Sequence, residues 1–317
     1  MQHHINKIFT TLLAALLLAT CASAAEFDAK SEAAIDQLYQ RVQQLDEAAF
    51  KELKTQAERG DAIAQDRMAL AYIQGNGVKQ DYAQAHGWLK RAAEQGYSWA
   101  AFRLGFLYEE GLGAERDAAQ ARDWYQRAAE LGNTSAAYNL AQLYLSGQEA
   151  DRNPAQAARW FEQAAKGGLA AAQLNVGVLY ENGSGVTKDS AAAARWYQAA
   201  VAQNNAKAMI SLGMMYETGQ GVAKDESKAR EFYQRAADLG EAGGLQLIGS
   251  QYEFGHGVAQ DNAIALEWYH KSAEAGNWLA AGRISRAYQL GELGLSKDKQ
   301  LQDEWYQKYI QLQQPKR

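Results

Sequence analysis

The chain has 317 residues, 47% of them hydrophobic, with 32 basic and 37 acidic residues and a formal net charge of −5. That length suits one large domain or two ordinary ones, and the composition is that of a globular protein rather than a disordered one. It has no block of Lys and Arg, which argues against a nucleic-acid partner, since phosphate binding needs clustered cations; only two prolines beside 28 glycines suit many short helices better than a sheet.

The first segment reads as a targeting signal, residues 1–24. Lys7 supplies the positive charge, Ile8–Thr20 is a short apolar core, and Ala22 and Ala24 form an A-x-A cleavage pattern. The apolar run is too short to span a bilayer comfortably, and no transmembrane span is expected. The mature chain then starts at Ala25 or Glu26 and the protein is exported, periplasmic or secreted. Loss of Lys7 leaves 31 basic against 37 acidic residues, a charge of −6. A second reading keeps Cys21: "LATC" (Leu18–Cys21) is similar to a bacterial lipobox and would anchor the chain through a lipid. Under ordinary cleavage no cysteine is left, so neither a disulfide framework nor a thiol nucleophile is expected.

Residues 25–60 are read as N-terminal capping helices: an amphipathic segment around Ile35–Leu45, then a half-unit near Asp46–Arg59. Beyond them the chain repeats. "YENGSGVTKD" (Tyr180–Asp189) has glycines and a Thr-Lys pair that suggest a phosphate loop, but it is one of six versions of one phrase at 36-residue intervals. A catalytic phosphate loop occurs once and keeps its lysine. Here the Lys188 position becomes Gln80, Arg116 or Gln260 in other copies. The phrase is instead a turn between helices: Gly75, Gly111, Gly147, Gly183, Gly219, Gly255 and Gly291 end one helix, and the closing Asp (Asn153 once) caps the next.

Each unit is therefore helix A, turn, helix B, turn. Helix B carries an alanine (Ala85, Ala121, Ala157, Ala193, Ala229, Ala265) and an aromatic (Trp88, Trp124, Trp160, Trp196, Phe232, Trp268, and Trp305 one residue late). The strict recurrence of the Trp suggests that it plugs the joint between units. A second terminator follows at Gly60, Gly96, Gly132, Gly168, Asn204, Gly240 and Gly276. The second helix A spans Ser98–Glu110, with Ala100, Leu104, Leu107 and Tyr108 on its buried side. The next position, as in Ala69, Gly105, Gly177 and Ser285, is always tiny, which implies close approach of neighbouring helices. No pair buries its apolar face alone, so the fold class is all-α, an α/α solenoid of about seven pairs over residues 61–311, with a C-terminal tail at 312–317.

"AELGNTSAAYNLAQLYLSG" and "KDESKAREFYQRAADLG" resemble the Sel1-like repeat family, a relative of the tetratricopeptide repeats, over about 250 residues. The resemblance implies a right-handed superhelix with the A helices on its concave side, and a scaffold that holds partner proteins. One secreted, cysteine-rich branch of the family is described as binding β-lactams, with a disulfide in each repeat; this chain lacks those cysteines.

Chemistry-bearing constellations are scarce. His86, His256 and His270 lie on helix B surfaces or in a turn, and no H-E-x-x-H, C-x-x-C or G-x-S-x-G occurs. No catalytic residue, metal or cofactor is expected. Function should sit where the repeats disagree, on a helix A stripe at i, i+4, i+7 and i+11. Arg67, Arg103, Asn139 and Asn175 occupy one slot in four successive units, and are read as gripping carboxylates and peptide backbone. Beside them Trp99, Phe102, Phe106 and Tyr138 would be apolar anchors, with Gln142 next to Asn139. The expected partner is a protein or an extended peptide in the concave groove. Phe102 and Tyr138 could instead pack between units. Two alternatives stand beside it: an architectural envelope component that binds by its convex face, and a hydrolase of β-lactams or cell wall, for which no nucleophile or acid pair is found.

Overall fold

The computed structural model describes residues 29–146 and 152–314. The signal segment, Cys21, Gly147 and the last three residues lie outside them. The described residues form sixteen helices and no strand. An N-terminal pair, α1 (Ala29–Gln43) and α2 (Glu47–Glu58), precedes seven repeats. The A helices are α3 (Ala62–Gln74), α5 (Ser98–Glu110), α7 (Thr134–Ser146), α9 (Ala170–Asn182), α11 (Ala206–Thr218), α13 (Ala242–Phe254) and α15 (Trp278–Leu290). The B helices are α4 (Tyr82–Glu94), α6 (Ala118–Glu130), α8 (Pro154–Lys166), α10 (Ser190–Ala202), α12 (Glu226–Asp238), α14 (Asn262–Glu274) and α16 (Lys299–Gln313). The chain is an all-α solenoid. Its contacts divide it into two compact units, one ending at Leu140 and the other beginning at Ala141. Apart from α7, which the division crosses, each A helix packs on its own B helix, and B helices meet the next A helix of the same unit, as α4 meets α5 and α10 meets α11.

The helix ends follow from local chemistry. Asp61, Asp81, Asp117, Asn153, Asp189, Asp225, Asp261 and Asp298 each accept a hydrogen bond from a first-turn backbone N–H. That satisfies donors which have no partner inside a helix. At the other end the A helices α3, α5, α9, α11, α13 and α15 stop on a left-handed glycine, for example Gly183 at φ 72°. The B helices stop two residues on, at positions such as Gly96 (φ 86°), and Asn204 takes the same left-handed backbone at φ 60°.

The second glycine of the G-x-G turn has an additional constraint. A Cβ on Gly185 would collide with the Pro154 carbonyl at the first turn of the preceding B helix. Gly113 faces Tyr82 and Gly221 faces Ser190 in the same way. In these repeats the turn therefore docks on the repeat before. Gly96, by contrast, has open space where its Cβ would stand. Gly185→Ala should cost about 2–4 kcal/mol, from left-handed strain plus steric repacking. Gly96→Ala should cost about 1 kcal/mol from the strain alone. Denaturant midpoints of the two variants check this, and equal losses would refute the docking role.

The core shows which residue fills the joint. Trp88, Trp124 and Trp160 are buried, but Trp196, Trp268 and Trp305 are only half-buried. The fully buried side chains are the neighbouring Tyr125, Tyr197, Tyr233 and Tyr269. The rings of Trp88, Trp124, Trp160, Trp268 and Trp305 lie under cations of their own helices, as with Arg127 at 4.5 Å from the Trp124 centroid and Lys271 at 4.4 Å from Trp268. The tyrosine, rather than the Trp, is the plug. It also explains the tiny position on helix A: a Cβ on Gly105 would stand 2.8 Å from the Tyr125 ring, and one on Gly249 2.9 Å from Tyr269. Tyr108, expected on the buried side of α5, is half-buried and meets His86 edge-on, whereas Ala101 and Phe102 turn inward.

Candidate partner-binding site

The helix A stripe differs from repeat to repeat in how much of it reaches solvent. On α3 it is covered: Ile63 and Leu70 are buried, and α1 engages the two polar positions. Asp36 of α1 accepts from Arg67 Nε at 2.6 Å, and Tyr39 Oη donates to Gln74 at 2.8 Å. On α5 Trp99 and Phe106 are half-buried, while Phe102 is buried, 5.7 Å from the Tyr125 centroid. On α7 Tyr138 and Asn139 are half-buried and Gln142 is exposed. On α9 Asn175 is half-buried and Val178 is exposed. Met214 takes the same place on α11 and is 49% exposed.

The two arginines of the row have partners inside the chain. The Asp66 carboxylate, with no exposed side-chain surface, receives Arg67 Nη1 and Arg103 Nη1, each at 2.5 Å. Arg103 also lies over the Trp99 ring, 5.6 Å from its centroid. Around this cluster Tyr97 Oη donates to Glu32 at 3.2 Å. Burial opposes the Arg67 charge, but Asp66, Tyr97 and Asp36 hold its pKa above the ordinary value. Burial pushes the nearby Tyr39 up to about 12. Asp66 escaped sequence reading. The signal was present, because the same slot holds Phe102, Tyr138, Leu174 and Ile210 in the next four repeats. A lone carboxylate in an apolar column needs a buried partner.

A second recurring device lies beside the stripe. Tyr125 donates to Glu109 at 2.7 Å, Tyr197 to Glu181 at 2.6 Å, Tyr233 to Glu217 at 2.9 Å and Tyr269 to Glu253 at 2.6 Å. Repeats without that tyrosine carry Leu89 or Phe161, and there the carboxylate becomes Ile73 or Leu145. The row residue of the next repeat can join the pair: Asn139 Nδ2 donates to Tyr125 Oη at 3.3 Å, and Arg283 is ion-paired to Glu253. Burial first, and then the adjacent carboxylate, raises the pKa of each tyrosine above its ordinary value.

The sign of the resulting pH dependence follows directly. The unfolded chain releases tyrosine protons near pH 10 while the folded chain keeps them, so stability is full below about pH 10 and falls as pH rises beyond it. Thermal midpoints between pH 8 and 11.5 should drop in the wild type. They should drop less in Tyr197→Phe, and an equal decline in both would contradict the assignment.

Among the described residues no group of three or more His, Cys, Asp or Glu could hold a metal ion, and no helix is long and apolar enough to cross a membrane. His256 Nδ1 lies 3.2 Å from Glu217 Oε1 at the turn after α13.

The Sel1 repeat model matches residues 62–97, 100–133, 134–169, 170–205, 206–241 and 247–277. A Sel1 repeat protein from Oxalobacter formigenes is 32% identical with a TM-score of 0.67, over 76% of this chain and 96% of that one. The antigen c5321, described as a protective antigen of uropathogenic Escherichia coli strains displaying an SLR fold, is 33% identical with a TM-score of 0.65 over 83% of this chain. The present chain spans 64% of that antigen's length. No curated protein matches the chain significantly.

Proposed function

Because the chain belongs to the Sel1 repeat family, whose members are generally protein-interaction scaffolds, we propose that it is a non-enzymatic adaptor that holds a partner protein along its A helices. One observation carries the reading. The positions that recur are engaged in stacking, through caps, turn glycines and buried tyrosines, whereas stripe positions that vary, such as Trp99, Phe106, Gln142, Val178 and Met214, keep exposed surface. Binding energy concentrates on such apolar anchors rimmed by polar groups.

Within that surface Trp99, Phe106, Tyr138 and Asn139 are the proposed contacts on the A helices of the first unit, and Gln142 and Asn175 those on the A helices of the second. Arg67 and Arg103 shape the first-unit surface from beneath through Asp66, and Phe102 supports Trp99. The signal-like N-terminus supports export to the bacterial envelope or beyond. An intact mass that starts at Ala25 would support a freely exported form, and a lipidated Cys21 would replace it with an anchored one.

Affinity capture from envelope and medium fractions tests the adaptor reading. A partner kept by wild-type residues 25–317 and by Lys90→Glu/Asp123→Lys on the B helices, but lost by Trp99→Asp/Phe106→Asp, is the expected result. Loss with the B-helix variant instead would favour the architectural reading through the convex face. Arg103→Ala is unsuited to this test, because it leaves the buried Asp66 short of a partner.

A further inference from the structure

In the second unit each buried tyrosine plug is sealed by the repeat that follows it. Tyr197 lies in one apolar cluster with Ala208, Met209 and Leu212 of α11, Tyr233 with Ile248 of α13, and Tyr269 with Ala281 and Ile284 of α15. All three tyrosines are between 0% and 2% exposed. The same position on α16 is Tyr306, one residue late like Trp305. Among the described residues no helix follows α16, and Tyr306 is 47% exposed. The flanking positions open with it: Ala265 and Ala273, closed on α14, become Gln302 and Ile310, each only half-buried.

The face left open is aromatic. Tyr306 stacks on Tyr309 with centroids 5.8 Å apart, and Tyr309 meets Trp278 of α15 at 5.7 Å between centroids. Trp278 is itself 39% exposed. On its other side α16 packs on the last repeat through Trp305, Tyr309 and Leu312, yet none of its side chains is fully buried. Terminal repeats of stacked folds ordinarily turn a polar face outward. The N-terminal pair does so, with Gln37, Gln40 and Arg41 exposed on α1 and Lys51, Glu52, Lys54 and Glu58 exposed on α2.

Two features select the occupant of the α16 face. The first is charge. α16 carries Lys299, Asp303, Glu304 and Lys308, two of each sign, and Lys299 pairs with Asp303 at 2.7 Å. Two copies of a chain of net charge −5 can thus meet through helices that bring no net charge against each other. The second is the polar exterior of α1 and α2, which gives the aromatic ladder no apolar counterpart. Head-to-tail stacking, the route to open filaments, is thereby disfavoured. The matching face is α16 itself, and like faces meet across a two-fold axis, where aromatic rings pack offset or edge-on.

We propose that the protein forms a two-fold dimer in which α16 of one copy packs on α16 of a second copy. The second copy covers the Tyr306–Tyr309–Trp278 ladder as α15 covers Tyr269. The fifteen residues of α16 rise by about 22 Å, and a helix is about 10–12 Å wide. A strip of that size is well below the roughly 800 Å² that each partner gives to a standard interface. The dimer is therefore reversible and depends on concentration.

Sedimentation velocity on residues 25–317, from about 1 to 100 μM, tests this. The wild type should pass from monomer to dimer. Tyr306→Glu/Trp278→Glu, both at exposed rings, should weaken the association at least tenfold while circular dichroism stays helical. The chain from residue 25 onward has no cysteine, so a single one can be placed as a marker. Gln307→Cys, beside the ladder, should be joined into a covalent dimer by a short bis-maleimide, and Lys51→Cys on α2 should not. A monomer at every concentration, association indifferent to the ring variant, or crosslinking from Lys51→Cys but not Gln307→Cys would overturn the proposal. Growth beyond the dimer would overturn the closed two-fold pairing.

Discussion

Asp66→Ala is expected to destabilise the first unit by about 3–5 kcal/mol, the cost of leaving buried guanidinium groups without their counterion. The carboxylate has no exposed surface and lies between Arg67 and Arg103, whose side chains are 12% and 13% exposed. Arg67 retains Asp36 after the change, whereas Arg103 loses its ion pair with Asp66. The mechanism predicts a rescue. Asp66→Leu combined with Arg103→Leu removes both charges and restores the apolar filling that Leu174 and Ile210 provide elsewhere. That double variant should lie within about 1–2 kcal/mol of the wild type, since replacing a buried pair by apolar residues is often neutral. Urea midpoints of the single and double variants decide the matter. A double variant as unstable as Asp66→Ala would mean that the cluster's geometry, not its charge balance, holds α1, α3 and α5 together.

Tyr197→Ala should cost about 3–5 kcal/mol, the range for emptying a buried aromatic site. Tyr197 has no exposed surface and rests against Gly177, while its hydroxyl reaches Glu181. Trp196→Ala should lose about half as much, because part of that ring already faces water. Tyr197→Phe should lose about 1 kcal/mol, because it removes one hydrogen bond and leaves Glu181 without its donor. Adding Glu181→Leu should recover most of that loss, since the third repeat pairs Phe161 with Leu145. Chemical denaturation of the four variants gives the ranking, and a Trp196→Ala loss larger than that of Tyr197→Ala would reverse the assignment of the plug.

The architecture was legible because its determinants recur. A 36-residue period, a glycine that must adopt positive φ and an Asp that caps the next helix leave one arrangement of helices, and the observed A helix Ser98–Glu110 coincides with the expected one. What escaped the sequence has physical reasons. Trp and Tyr recur side by side, so periodicity cannot say which ring points inward. The Gly177–Tyr197–Glu181 association appears only when three columns are compared, since glycine admits the ring and the carboxylate accepts its hydroxyl. Asp66 occurs once and is silent to any search for repetition. The cover over the α3 stripe comes from α1, whose residues stand outside the period, so Ile63 and Leu70 could not be recognised as buried. The stripe itself was readable from spacing. Its division into covered positions on α3, partly open ones on α5 and exposed ones on α9 and α11 depends on tertiary neighbours.

The central claim is that a partner lies along the A helices, and site-specific photocrosslinking tests it most directly. Benzoylphenylalanine in place of Met214 on α11 should give a discrete crosslinked protein in envelope or medium fractions, and the same probe in place of Glu231 on α12 should not. A crosslink from the Glu231 position with none from Met214 would place the partner on the B helices and contradict the account.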